Sequence, residues 1–343
     1  MNSWQQSLIE GVVIPACPLA LDENGVWNSR YQRALIRYYL SCGAGGVAVG
    51  VHTTQFEIRQ HGLLEPVLKC IADTIDQKET ADQQVIRVAG LCGDRRETIA
   101  EAGLASELGF QLGLLSPSLF SAMEENQIVE HTRAIAEIIP VFGFYLQPAV
   151  GGRVLSYDYW RRLAEIENLR AIKVAAFNRY QTIDVMRAVE ESQRSDLVVY
   201  TGNDDNIIAD LLTPYCFSEA GEPRWMAGGL LGQWAVWTRQ AVEMLEAIKQ
   251  VRKQKSVDLD WLSRNIWLTD TNAAIFDASN EFAGCIAGVN EVLRRQGLLP
   301  SNRCLNPKEA LSPGQSEEID RIGIGHEEED AWITSNLDRW LED

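Results

Sequence analysis

The chain has 343 residues, 46% hydrophobic and 23% charged, with a formal charge of −17 at neutral pH. That length and apolar content allow a large buried core, while the acidic balance and the lack of any Lys/Arg cluster argue against a nucleic-acid or anionic-membrane partner. Eleven acidic residues against two arginines over positions 309–343 supply nine of those seventeen charges, so the rest of the chain is only mildly acidic.

Seven cysteines, at positions 17, 42, 70, 92, 216, 285 and 304, show neither metal-ligand spacing nor the density of a disulfide scaffold. No metal and no cofactor is expected, and a reducing cytoplasm suits such a set. The start, Met1-Asn2-Ser3-Trp4-Gln5-Gln6, has no basic segment leading into an apolar run, and no apolar stretch reaches the length of a membrane span. The expected location is the cytoplasm.

In chain order, short β-branched or glycine-rich apolar runs alternate with longer segments of helical period. A strand over 11–16 is followed by a helix over 29–41, then by strands over 46–51 and 85–91 and a helix over 95–108. Strand 112–116 precedes helix 127–139, strand 141–147 precedes helix 157–166, and strand 171–176 precedes helix 182–192. Strands over 197–201 and 225–230 complete the eight. Eight such units over about 250 residues predict an α/β fold of the (β/α)8 TIM-barrel type, not an open doubly wound sheet. A dinucleotide site would want Gly-x-Gly-x-x-Gly after the first strand, and none stands there; Gly43, Gly45 and Gly46 precede the second strand and read as turn residues. The expected division is a barrel over 1–252 and a C-terminal helical extension over 253–343. Helical patterns over 234–251, 258–267 and 270–296 lead into a loop-like stretch over 300–313. The acidic tail beyond Gly314 reads as solvated, although Trp332, Leu337, Trp340 and Leu341 can anchor a short helix against the body. The extension is expected to pack on the barrel or to form part of an oligomer contact.

Lys173 interrupts the apolar run Ala171-Ile172-Lys173-Val174-Ala175-Ala176. A strand buried on both faces is apolar throughout, so an ammonium group there loses hydration. Burial lowers a lysine pKa, and the neutral amine can attack a carbonyl carbon to form a Schiff base. The alternative is a strand-end lysine that extends its head to water or pairs with Glu165 or Glu167. Barrel active sites gather at the C-terminal ends of the strands. There the sequence places His52-Thr53-Thr54, Tyr145-Leu146-Gln147-Pro148 and Thr201-Gly202-Asn203-Asp204-Asp205. An amine nucleophile, a phenol to move protons and hydroxyls to hold a carboxylate are what a Schiff-base lyase requires.

This pattern resembles the dihydrodipicolinate synthase and N-acetylneuraminate lyase superfamily of class I, pyruvate-type aldolases. The resemblance runs from residue 11 to about 230 and rests on Pro15-Ala16-Cys17-Pro18 with Asp22-Glu23-Asn24-Gly25, Gly43-Ala44-Gly45-Gly46-Val47 leading to Thr53-Thr54, Val88-Ala89-Gly90, Ser116-Pro117, Phe144-Tyr145 with Pro148, and Ile172-Lys173. It implies that Lys173 forms the Schiff base, that Tyr145 shuttles the proton, and that Thr53 and Thr54 hold the relay and the carboxylate of a 2-oxo acid. It also implies a homodimer or homotetramer. The family's Gly-Thr-Thr-Gly-Glu is here His52-Thr53-Thr54-Gln55-Phe56, with Glu57 one residue late. Leu119 stands where members that make dihydrodipicolinate carry a tyrosine. Val150 stands where they carry an arginine, with Arg153 three residues on.

The expected catalytic residues are Lys173, Tyr145 and Thr53, and the expected substrate contacts are Thr54, His52, Gln147 and Gly228. His52 is either an acid or base at the barrel mouth or a structural histidine, and Gln147 is either a donor to substrate or a satisfied amide. Asn203, Asp204 and Asp205 either coordinate a cation or grip substrate hydroxyls or, the favoured reading, cap the helix starting near Asn206. Gly228-Gly229 either lets backbone approach a ligand or relieves crowding. The expected function is a Schiff-base lyase or aldolase acting on pyruvate or another 2-oxo acid, and not dihydrodipicolinate synthesis. The alternatives are a 2-keto-3-deoxy sugar acid dehydratase and a catalytically silent, metabolite-binding barrel.

Overall fold

The computed structural model describes residues 3–77, 84–116, 123–218, 222–254 and 256–342. Its strands are β1 (Val13–Pro15), β2 (Gly46–Val49), β3 (Ile86–Leu91), β4 (Leu112–Leu115), β5 (Val141–Leu146), β6 (Leu169–Ala175), β7 (Val198–Thr201) and β8 (Met226–Leu231). They pair in the order β1-β8-β7-β6-β5-β4-β3-β2, every pairing parallel. The ring closes where Ala16 bridges Ala48 and the Cys17 N–H donates to the Ala48 carbonyl at 2.8 Å. The barrel predicted from sequence is therefore the fold, with strand ends differing by at most two residues.

The helices are α1 (Ser3–Glu10), α2 (Ser29–Ser41), α3 (Leu64–Asp76), α4 (Arg95–Glu107), α5 (Glu125–Ala136), α6 (Tyr157–Ala164), α7 (Arg179–Glu191) and α8 (Ile207–Leu212), followed by α9 (Thr238–Gln254), α10 (Asp260–Ile275), α11 (Cys285–Arg295), α12 (Gln315–Ile322) and α13 (Glu327–Leu341). Side chains alternate across each strand, and this splits the core in two. Ile14, Ile86, Val88, Leu112, Phe142 and Ala171 fill the barrel, joined by Trp4 and Leu8 of α1. Their outward neighbours pack against the helices. Tyr200 fixes α1 at the lower end, its hydroxyl donating to the Leu8 carbonyl at 2.8 Å and accepting from the Val12 N–H at 3.2 Å.

The C-terminal helices differ from their predicted bounds. One helix, α10, runs through the expected break near 268–269, and the chain turns later, where Asp277, Glu281 and Phe282 have φ of 57°, 53° and 67°. The Asp277 carboxylate accepts the Gly284 N–H at 3.0 Å, an aspartate-to-backbone bond that competes with helix continuation. The acidic tail is also not simply solvated. Helix α13 buries Glu329, Ile333 and Trp340 and sets Trp340 edge-on to Tyr38 of α2, ring centroids 5.4 Å apart. Glu327, Glu328, Glu329 and Asp330 occupy its first turn, where the helix dipole favours negative charge.

Candidate active site

Lys173 points into the barrel because β6 alternates Ala171, Lys173 and Ala175 inward with Ile172 and Val174 outward. Its head lies in a small cavity of about 90 Å³ at the C-terminal end of the strands. The polar groups sharing that cavity are His52 and Thr53 after β2, Gln147 after β5 and Asp204 after β7. The remaining wall is largely apolar, and Phe144, Leu146, Val150, Phe177, Phe276 and Phe282 carry most of it.

Desolvation lowers the Lys173 pKa to about 8, with the Asp204 carboxylate opposing the fall. Burial in turn raises Asp204 to about 7, against the pull of the Lys173 charge. Such a pair exchanges a proton near neutrality and titrates jointly. Among the described residues Asp204 Oδ1 is buried without a hydrogen-bond partner, so one carboxylate oxygen of this cavity residue is unspent. The Lys173 ammonium also lies 4.6 Å from the Phe144 ring centroid, a cation–π contact that favours the charged form. Burial, then the Lys173 charge, pushes His52 down to about 4, which leaves its imidazole neutral.

The loops that carry these groups are braced from below and above. Arg59 donates to Glu101 at 2.7 and 2.9 Å and to the carbonyls of Gly90 at 2.9 Å and Gly50 at 3.3 Å, tying the ends of β2 and β3 together beneath His52. Asn203 accepts the Phe177 N–H at 2.9 Å and donates to Asp210 at 2.8 Å, while Thr201 donates to Asp210 at 2.7 Å. From α10, Asn272 donates to the Asp204 carbonyl at 2.7 Å. The extension therefore both roofs the cavity, through Phe276, Phe282 and Cys285, and holds the loop that carries Asp204.

Tyr145 does not reach this cavity. Phe144 pairs with Lys173 across β5 and β6 and faces inward, so its neighbour Tyr145 faces out, buried against Trp160 with ring centroids 5.0 Å apart. The Tyr145 hydroxyl accepts the Leu155 N–H at 3.4 Å. A one-residue change of register exchanges the faces of a strand, and here it removes the expected phenol from Lys173. Thr54 is likewise turned away, its hydroxyl donating to the Cys17 carbonyl at 2.7 Å and accepting the Gly50 N–H at 3.0 Å. Thr53 does line the cavity, but its single donor is committed to the Ala16 carbonyl at 2.8 Å. Gly228 sits at the opposite end, where a β-carbon would fall 2.3 Å from the Val12 carbonyl oxygen; its place is a backbone contact, not a ligand contact. The expected cap at Asn203 to Asp205 is also overturned, since Asn206 occupies the N-cap position of α8 without a side-chain bond and Asp204 turns to Lys173. Arg153 donates to the Met123 carbonyl at 2.7 Å, while Val150 lines the cavity. Leu119 lies outside the described residues.

Fold and site together define a lysine-bearing (β/α)8 barrel, the amine set at the C-terminal end of its sixth strand. The chain belongs to the dihydrodipicolinate synthetase family, whose model matches residues 10–214. It is 26% identical over 196 residues to the 4-hydroxy-tetrahydrodipicolinate synthase of Bifidobacterium longum, covering 57% of this chain and 60% of that protein. It is 25% identical over 203 residues to the N-acetylneuraminate lyase of Citrobacter koseri, covering 58% of this chain and 65% of that protein. The matched part thus spans less than two thirds of either relative's length. Among solved structures, a monomeric dihydrodipicolinate synthase variant superimposes with a TM-score of 0.74 at 17% identity, covering 95% of this chain and 98% of that one. The pyruvate complex of the dihydrodipicolinate synthase of Acinetobacter baumannii gives 0.74 at 20% identity, covering 94% and 99%. At those identities the likeness is one of fold, and it extends through the C-terminal helices.

Proposed function

We propose that this chain is a lyase that works through a Schiff base between Lys173 and a 2-oxo acid. The observation that carries the proposal is the Lys173 amine, held in an apolar cavity beside Asp204 with its pKa drawn toward neutrality. The neutral Nζ adds to the carbonyl carbon while the carbonyl oxygen takes a proton from Asp204. The carbinolamine then loses water, leaving an iminium ion that accepts the electron pair when a bond one carbon away breaks. Asp204 fills the acid and base role assigned from sequence to Tyr145, because its raised pKa suits proton transfer near pH 7. The relatives' names, a synthase and a lyase, agree with this chemistry. The substrate's remainder is apolar, since Phe144, Leu146, Val150, Phe177, Phe276 and Phe282 offer surface to hydrocarbon. A polyhydroxylated sugar acid would meet few partners there, and the carboxylate of aspartate semialdehyde would meet Val150 instead of a guanidinium group, losing roughly 1.5–3 kcal/mol per charge-assisted bond.

A second reading, a barrel that binds a 2-oxo acid without turning it over, is favoured by one observation: Phe144 stands beside Lys173 and no described tyrosine lines the cavity. Borohydride reduction in the presence of pyruvate and larger apolar 2-oxo acids tests both. A mass increment on the peptide containing Lys173 is expected, and release of an aldehyde or other product separates lyase from binder. A full panel without an adduct would remove the Schiff base from either reading.

A further inference from the structure

The outer face of α10 is apolar where contact with water favours polar residues. The helix buries Trp261, Leu268 and Ile275 on one side. On the opposite side, at helical spacing, it presents Leu259, Leu262 and Ile266, which are 76, 53 and 68% exposed. Trp267 and Ile324 widen the same surface: both are exposed, and Gly325 follows Ile324 against the Trp267 ring, which a β-carbon there would meet at 3.4 Å. A helix that is apolar all round is ordinarily covered all round.

This face is fixed in place. Asn265 accepts the Ala209 N–H at 3.0 Å, Thr269 donates to the Asp205 carbonyl at 2.8 Å, and Asn272 holds the Asp204 carbonyl, so α10 cannot roll its leucines inward without releasing the loop that carries Asp204. The exposed positions that share the outer face are Leu259, Leu262, Ser263, Ile266, Asp270 and Ala273. Their one charge, Asp270, is already met by Arg321 at 2.6 and 3.1 Å.

Leu259, Leu262, Ile266, Trp267 and Ile324 together offer on the order of 600 Å² of apolar surface, the upper end of what a monomer exposes. Two copies of the patch placed face to face would cover about 1,200 Å², the size at which stable interfaces begin. An anionic membrane is a poor occupant, because Asp258 and Asp260 stand at the head of the helix and the chain carries a formal charge of −17. A stripe with no unpaired charge of its own matches a second copy of itself. With two α10 helices antiparallel about a two-fold axis, Leu262 of each copy meets Ile266 of the other.

We infer that the exposed stripe of α10 is the contact between two copies of this chain, packed antiparallel about a two-fold axis. The inference stands independently of the Schiff-base reading, although the contact lies on the back of the helix that holds the Asp204 loop.

Sedimentation velocity on the full chain tests it. Over roughly 1–100 µM, where an interface at the low end of stable sizes dissociates, the mass should rise from that of one chain toward that of two. Leu262→Glu and Ile266→Arg, both at exposed positions where the fold of the single chain is not at risk, should each weaken association about 100-fold or more, since every dimer would then hold two charges against apolar side chains. Circular dichroism checks that each variant is folded. Mixing the two variants should restore a dimer, because one contact keeps Leu262 on Ile266 and the other sets a carboxylate on a guanidinium group. The inference is overturned by a wild-type chain that stays monomeric throughout, which would leave the stripe to a different protein, by a dimer that either single variant leaves intact, or by a mixture that stays monomeric.

Discussion

Gly202 lies flat against Lys173: a β-carbon at Gly202 would fall 2.5 Å from Lys173 Cε and 3.0 Å from its Cγ. The glycine at the end of β7 thus lets the lysine stem lie across the neighbouring strand and sets where the amine stands. Gly202→Ala should force the stem aside while leaving the strand pairing intact. A displacement of about 1 Å at a reacting group costs on the order of 10²-fold. The expected result is a folded chain, by circular dichroism, whose rate of borohydride-trapped adduct formation drops by about that factor. An unchanged rate would mean that Lys173 reaches its reactive position by another path.

Lys173 gives a defined pH dependence. Because only the neutral amine adds and only protonated Asp204 donates, the trapping rate should climb about tenfold per pH unit below about 7, peak between about 7 and 8, and fall above that. The stability sign follows from the same shift. Between about 8 and the ordinary 10.5 the unfolded chain binds the extra proton, so this lysine's contribution to stability improves as pH rises through that window and is least favourable below it. Because the Asp204 carboxylate supports the ammonium form, Asp204→Asn should move the rate profile to lower pH while cutting turnover by roughly 10²–10⁴. A profile that Asp204→Asn leaves in place would break the link between the two groups.

Tyr145→Phe separates the observed register from the one expected by resemblance. Among the described residues its hydroxyl meets only the Leu155 N–H, at 3.4 Å on the outer face of β5. The variant should therefore trap 2-oxo acids at a rate within about threefold of wild type and lose at most ~1 kcal/mol of stability. A loss of 10² or more in trapping rate would return Tyr145 to the mechanism. Phe144→Leu is the complement: removing a cation–π contact of about 1 kcal/mol should lower the Lys173 pKa by roughly half a unit to one unit, read as a shift of the rate profile.

Glu329 caps a helix ninety residues away. Its carboxylate accepts the N–H groups of Arg239 and Gln240 at 3.0 Å each, at the start of α9, and the Tyr38 hydroxyl at 2.9 Å. Glu329→Ala would strand those donors in a buried setting, where the loss should reach about 2–4 kcal/mol, more than an exposed cap contributes. Chemical denaturation measures it, and a loss under ~0.5 kcal/mol would show that α9 finds other acceptors.

The barrel was readable from sequence because the alternation of apolar runs and helical periods repeats eight times, and Lys173 stood out because charge is costly in such a run. The inward face of β5 was harder. Phe142-Gly143-Phe144-Tyr145-Leu146 offers an aromatic residue to either face, and counting back from Pro148 selects Tyr145. The pairing of Phe144 with Lys173 decides the matter, and that pairing belongs to the neighbouring strand, not to the segment. In sequence Asp204 reads as a cap because Asn and Asp before a helix commonly are; the lysine sharing its cavity and Asn272 from α10 show otherwise. Phe276 and Phe282 carried no local signal, since a phenylalanine near a helix end resembles any core residue until the helix is seen lying over the barrel mouth.

The embrace of α2 and α9 by α13 places a constraint on how the protein is made. Tyr38 leaves the ribosome 291 residues before Glu329, yet the two share a buried hydrogen bond, and the same hydroxyl orders Thr238. Barrel strands can pair as they emerge, but the start of α9 must wait for α13. Nascent chains should therefore expose the faces of α2 and α9 that α13 covers until that helix emerges, for longer than a barrel completed from its first 250 or so residues would. A stop codon placed ahead of α13 should then yield a chain that engages chaperones and aggregates, even though every residue lining the Lys173 cavity has been made.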